Sequence, residues 1–209
     1  MRASDRAYAA LLEEIQSGIL KPGTVLGEVE QSTRLGVSRT PLREAIGRLA
    51  ADGLVTQASP RVTVVTDIDA DDIRALFEVR RALEETAARL AATRADTAAF
   101  AALAGEFAAI DAAGSADAYY GLIARFDRAL DAAVANDYLT GALRTVRTHL
   151  VRVRRLARDN PQRLTASAGE HRLIAAAIAT GDGELAAHAT HVHLSHALTS
   201  ILDSLEAQP

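Results

Sequence analysis

Two arginines and two hydroxyl residues packed into one short stretch carry the first chemistry of this chain. Residues 36–49 read Gly-Val-Ser-Arg-Thr-Pro-Leu-Arg-Glu-Ala-Ile-Gly-Arg-Leu. On a helix capped by Ser38, Arg39 and Arg43 are spaced i, i+4 and project from one sector, with Thr40 beside them. Guanidinium forks match phosphate oxygens and guanine edges, and a helix N-terminus favours an anionic phosphate. Pro41 falls in the first turn, where its missing N–H costs little. Leu42, Ala45, Ile46 and Leu49 form an apolar stripe that has to be buried. The stretch predicts the turn and second helix of a helix-turn-helix, with a polar face suited to the major groove of double-stranded DNA. Two arginines on an isolated helix are more often merely solvated, so the reading depends on the elements around them.

Those elements are legible. Tyr8, Leu11, Leu12 and Ile15 have helical spacing, which predicts a helix over residues 5–18 ahead of a Lys21-Pro22-Gly23 turn. A short helix follows over 28–35, and Gly36 permits the sharp turn after it. Arg34, at the end of that helix, is a candidate phosphate contact, whereas Arg48 points away from the Arg39 sector. Asp52-Gly53 stops the recognition helix. Leu54-Val55-Thr56 and Val62-Thr63-Val64-Val65 then flank Ala58-Ser59-Pro60-Arg61 as a β-hairpin wing, placing Arg61 at the tip within reach of a minor groove or phosphate.

Composition narrows the remainder. The chain has 209 residues and no cysteine, which removes disulfides, thiolate metal sites and cysteine catalysis. No apolar run approaches a membrane span and no signal-peptide pattern opens the chain, so a cytoplasmic protein without a membrane partner is expected. Residues 1–66 hold eight basic and seven acidic residues, a net of +1, while the rest holds 15 basic and 20 acidic, a net of −5. With so weak a basic field, DNA affinity has to come from a few placed arginines, doubled by a homodimer. From Asp69 onward the chain is alanine-rich and helically periodic, with breaks at Asn136-Asp137, Asn160-Pro161 and Gly181-Asp182-Gly183. Six helices, over about 69–93, 96–114, 116–135, 138–158, 162–180 and 183–206, predict an antiparallel bundle. The fold class is therefore mainly α: a winged helix-turn-helix over residues 1–66 and an all-α bundle over 67–209, which the resemblance below makes an effector-binding and dimerisation domain.

The order and spacing of Gly23-Thr24-Val25-Leu26, Leu35 to Ala45 and Leu49 to Val55 resemble the N-terminal winged helix of GntR-type bacterial transcription regulators. The resemblance implies that Arg39, Thr40 and Arg43, with Ser38 beside them, face operator DNA. The family's wing ends in Asn-Arg-Gly; here Pro60-Arg61-Val62 keeps the arginine without the glycine. Phe77 to Glu84, Phe126 to Leu130, Glu170 to Ile174, Gly181-Asp182 and His193-Leu194 resemble the all-helical FCD effector domain of the FadR-like branch. Many FCD domains hold Zn²⁺ or Ni²⁺ on an aspartate and three histidines. His171 and His193 match the later pair, but Ile123 stands at the aspartate position and Asp127 at the first histidine position. Asp127, His171 and His193 remain as a possible three-ligand metal site; the alternative is a metal-free pocket in which the two histidines bind an effector anion directly.

An inward Arg80 would be either a carboxylate clamp or a buried ion pair with an acid such as Asp127. Arg147 is the member of the 144–158 arginine run expected to turn inward, and His196 shares a helix face with His193. Arg80, Asp127, Arg147, His171, His193 and His196 are thus the effector-site candidates, while His188 and His191 suit a solvated or dimer face. The functional expectation is a small-molecule-responsive DNA-binding regulator, repressing in the commoner mode, with a carboxylic acid as effector. Two rivals are a constitutive DNA-binding dimer and a metal hydrolase. The second lacks an HExxH or cysteine signature and has no use for a winged helix, so no catalytic residue is assigned.

Overall fold

The computed structural model describes residues 1–59, 62–156 and 160–207. The chain divides into two compact units, residues 1–69 with 149–152, and residues 70–148 with 153–209. Among the described residues no helix is long and apolar enough to cross a membrane.

The first unit opens with α1 (Ala3–Ser17), α2 (Glu28–Leu35) and α3 (Arg39–Ala51). Ala7, Leu11 and Ile15 of α1 meet Leu42, Ala45 and Leu49 of α3 in a core that also takes in Leu26, Leu54, Val55 and Val65. The turn between α2 and α3 depends on Gly36, whose φ of 63° would strain a side-chained residue. Strands β1 (Val55–Ser59) and β2 (Val62–Val65) pair antiparallel from Val55↔Val65 onward, with a register shift between Gln57 and Ser59. Residues 23–26 run alongside β2: Gly23 and Leu26 donate to the carbonyls of Val65 and Thr63 at 2.9 and 2.8 Å. That edge pairing anchors a hairpin too short to be stable by itself. Arg48 lies 4.0 Å above the Tyr8 ring and pairs with Asp5, while the Tyr8 hydroxyl donates to Asp52 at 2.6 Å.

The second unit contains α4 (Ala70–Arg94), α5 (Thr97–Ala109), α6 (Ala116–Val134), α7 (Asp137–Leu156), α8 (Pro161–Ala179) and α9 (Gly183–Glu206). Capping explains most of the boundaries. Asp96, Ser115, Asn160 and Asp182 each accept a backbone N–H from the first turn of the helix that follows. Helix α5 ends at Ala109, five residues earlier than the periodicity suggests. The Asp111 carboxylate accepts the Gly114 N–H at 2.9 Å and organises a turn there instead. Helices α4 and α9 pack along one another through buried Ala87, Ala91, Ala186 and Ala189, small residues that allow close approach. A Cβ at Gly183 would come within 3.1 Å of the Arg89 carbonyl, so the start of α9 tolerates no side chain without a shift. Between α5 and α6 the aromatics cluster, with Phe107 edge-on to Phe126 and to Tyr119.

Candidate functional site

On α3 the burial pattern separates the two faces cleanly. Leu42, Ala45 and Leu49 are fully buried, and Ser38, Arg39, Thr40, Arg43 and Gly47 are exposed. Ser38 occupies the N-cap position, but its hydroxyl makes no cap hydrogen bond. Orphan first-turn N–H groups therefore face solvent beside Thr40, as an anion contact requires. Arg39 and Arg43 are not idle. One carboxylate, Glu28 in the first turn of α2, accepts from Arg39 Nη2 at 3.0 Å and from Arg43 Nε at 2.8 Å. Hydrogen bonds from Arg43 and then Arg39 hold the Glu28 carboxyl down to about 2. Arg34 is more firmly engaged: its two terminal nitrogens donate to Glu14 at 2.5 and 2.7 Å, and its Nε to Gln31 at 3.0 Å. It ties α2 to α1 and is less available to a phosphate than its sequence position suggests. Arg61 lies outside the described residues.

The second unit encloses a cavity of about 30 Å³, lined among others by Arg80, Glu84, Asp127, Arg147, Arg154, His171 and His193. Five of the six sequence-derived effector candidates meet here. The sixth does not: His196 is 61% exposed and gives its Nδ1 to Glu170 at 2.8 Å, outside the cavity. Their spacing on α9 explains the correction. An offset of three residues keeps His196 near the angular position of His193 but moves it about 4.5 Å along the axis, past the end of the cavity.

The cavity's polar groups are mostly held by internal partners. Arg80 is almost fully buried and grips both oxygens of Glu84 at 2.7 and 3.2 Å. Its buried ion pair is thus with Glu84 and not with Asp127. Burial works against ionisation of Glu84, but the Arg80 guanidinium wins and its carboxyl sits below the usual range. Arg147 donates to Asp131 at 2.7 Å and lies 3.6 Å from Asp127. Burial pushes the Asp127 carboxyl up, against the pull of Arg154 and Arg147. His171 has Nδ1 2.8 Å from the Ser167 carbonyl, an acceptor only, so that nitrogen carries the proton. The Tyr119 hydroxyl, 3.1 Å from the same nitrogen, consequently donates to Ser167 Oγ at 2.5 Å. His193 Nδ1 faces Glu170 Oε2 at 2.7 Å and is protonated for the same reason. Burial drives both imidazoles below their ordinary value, so each ring is neutral with a lone pair on Nε2. The two rings are 4.3 Å apart between centroids.

That tautomer suits a metal ligand, since backbone and carboxylate partners commonly orient metal-binding imidazoles. The third donor fails. Among the described residues no three histidine, aspartate or glutamate side chains converge on a point that could hold an ion. Asp127 is drawn toward Arg147, and three guanidinium groups line the same small space. A dication would meet their repulsion in a low-dielectric site. The Asp127, His171 and His193 ligand set is therefore corrected to a pair of imidazoles in an arginine-lined cavity.

Arg154 and Glu84 are cavity residues that the sequence reading did not single out. A signal existed for Arg154: it lies seven residues from Arg147, two helical turns along α7, on the stripe that buries Leu143, Leu150 and Val153. Among the described residues Arg154 makes no hydrogen bond or ion pair. Burial weakens its hold on its proton, although a guanidinium remains charged.

Comparison with known proteins agrees with both units. Residues 3–65 match the bacterial regulatory proteins of the gntR family, and residues 75–196 match the FCD domain, some of whose members bind metals. A probable D-xylose utilization operon transcriptional repressor of Paenarthrobacter nicotinovorans is 31% identical over 88% of this chain and 82% of its own. An HTH-type transcriptional regulator in the TAR-I ttuE-ttuC' intergenic region of Agrobacterium vitis is 38% identical over 39% of this chain. The match spans only about half, 48%, of that relative's length. The Escherichia coli McbR/YncC structure superposes with a TM-score of 0.76 at 20% identity, covering 98% of this chain and 99% of that one, which is a likeness of fold. These are regulator families and not enzyme families. With a gntR-type winged helix followed by an arginine-lined FCD bundle, the chain belongs to the gntR family of bacterial regulatory proteins.

Proposed function

We propose that this chain is a sequence-specific, ligand-responsive DNA-binding transcription regulator, acting in the cytoplasm as a homodimer and as a repressor. Residues 1–66 would read DNA, and residues 67–209 would bind the effector and dimerise. The observation that carries the reading is the exposed Ser38, Arg39, Thr40 and Arg43 face on a helix whose opposite face is wholly buried. Two such helices, one per protomer, fit the half-sites of a short inverted repeat. Arg34 and Arg61 are subsidiary phosphate contacts in this scheme. The repressor assignment leans on the xylose-operon relative, named a repressor, that aligns along most of both chains.

The effector in this reading is a carboxylic acid held by the cavity around Arg80, Asp127, Arg147, His171 and His193. It acts by binding two arrangements of the dimer with different affinity, because a ligand without such a difference shifts nothing. Zn²⁺ or Ni²⁺ is not adopted as cofactor, since among the described residues the donors do not converge. Selecting binding sites from a random-sequence DNA pool tests the central reading. Enrichment of a short inverted repeat is expected, and a pool that stays unenriched argues against sequence-specific binding.

The Glu28 clasp makes a separate prediction. Its carboxyl is held down to about 2, so the ion pair is intact above the ordinary carboxylate range and is lost only as pH falls toward about 2. No working pH releases the arginines; phosphate has to displace the carboxylate. Glu28→Gln is expected to tighten binding to random-sequence DNA several-fold at low salt, measured by fluorescence anisotropy. Weaker binding by this variant would show instead that Glu28 serves to orient the two forks.

A further inference from the structure

Hydrogen bonding in the effector cavity does not close. Glu84 is taken up by Arg80 through two hydrogen bonds, and Asp131 by Arg147. Asp127 lies 3.6 Å from Arg147. Arg154 is the third guanidinium on the wall and, among the described residues, has no hydrogen-bonded or ion-paired partner. Asp127 attracts it without bonding to it, and a desolvated guanidinium whose N–H groups find no acceptor is costly, a cost that a bound anion removes. The other free groups agree. His171 and His193 are locked by Ser167 and Glu170 with Nδ1 protonated, and their Nε2 atoms have no described partner. They present neutral rings that do not compete for the anion.

We infer that this cavity binds a compact carboxylate directly on the Arg154 fork, with Arg147 beside it and no metal ion between ligand and protein. This rests on the effector reading above and narrows it. Size follows from the walls: 30 Å³ holds roughly two or three water-sized groups, the bulk of a carboxylate of about one or two carbons. A guanidinium suits this task because its planar fork meets both carboxylate oxygens at once. The two positions where the chain departs from the metal-binding pattern, Ile123 and Asp127, thus go with a changed mode of anion capture. The positive charge a metal would supply comes from α7.

The test uses the full chain, dialysed against EDTA and analysed for metal by mass spectrometry. Thermal shift and calorimetric titration are run with formate, acetate, propionate and, as a bulky control, citrate, against sodium chloride at matched ionic strength. Saturable stabilisation by formate or acetate is expected, unchanged by EDTA. Arg154→Gln should lose at least 10-fold in affinity, and Arg154→Lys, which keeps the charge but not the fork, should lose most of the same response. Circular dichroism checks that both variants fold; if Gln does not fold, Lys alone decides. A response that vanishes with EDTA and returns with Zn²⁺ or Ni²⁺ overturns the metal-free inference while leaving effector sensing intact. So does stabilisation by propionate or citrate alone, or unaltered acetate binding in the folded variants. Absence of any response, to any acid with or without metal, removes both this inference and the effector reading beneath it.

Discussion

Replacing Arg39 and Arg43 together by alanine is expected to abolish selective DNA binding while leaving the fold untouched. A fork that meets a guanine edge discriminates against the wrong base by on the order of 10- to 100-fold, so losing two per protomer should bring a selected site down to the level of random sequence. The fold should survive because both side chains are exposed, at 58% and 59%, and the polar contact they lose among the described residues is a surface ion pair with Glu28. Competitive anisotropy titrations, specific against random duplex, measure the ratio; circular dichroism and sedimentation check helicity and mass. Lysine at both positions should keep much of the non-specific affinity and its salt dependence but lose the discrimination, since an ammonium has no fork. Retention of site selectivity by the alanine pair would move the reading surface off α3.

Stability of the helical unit should be most sensitive to the Arg80–Glu84 pair. Arg80 is 3% exposed and Glu84 18%, so neither charge has much water to fall back on. Glu84→Ala leaves Arg80 buried without its counter-ion, a change that typically costs about 3–5 kcal/mol. For a unit of this size the unfolding midpoint should fall by on the order of 10 °C in a calorimetric scan. The companion substitution sharpens the test. Arg80→Met with Glu84→Leu replaces both charges by apolar groups of similar bulk, and should recover most of the loss. Recovery marks the single variant's defect as an orphaned charge; a double variant no better than the single one would point to lost packing, for instance of the guanidinium 4.4 Å above Phe77. Glu84 is ionised below the usual range, so the pair's contribution is present at and above the ordinary carboxylate range and fades as pH falls through the depressed value.

How much of this was readable beforehand differs between the two units. In the first, local rules sufficed. Gly36 at positive φ, Pro41 in the first turn and the Leu42, Ala45, Leu49 stripe each restrict the backbone within a few residues, and all three agree. The partner of the two arginines was not readable. Glu28 sits 11 and 15 residues away, and its approach depends on how α2 crosses α3. In the second unit the helix boundaries were legible from Asp96 as a cap and from the breaks at Asn160-Pro161 and Gly181-Asp182-Gly183. Wall composition was not. Arg154 belongs to a helix so rich in arginine that charge alone says nothing about direction; only its seven-residue offset from Arg147 does. Glu84 was overlooked because an acid four residues after an arginine is ordinary on an exposed helix. His196 shows the converse error, since shared helical phase is not shared depth.

The single carboxylate that bridges Arg39 and Arg43 has a consequence for how the protein searches a chromosome. In the proposed reading every duplex, right or wrong, would first have to evict Glu28 from both forks. That toll is the same at every site, so the preference for the correct sequence survives intact. Sojourns on irrelevant DNA grow shorter, because bare phosphates alone have to displace the carboxylate there. A residue that weakens binding everywhere can in this way shorten the time needed to find one target.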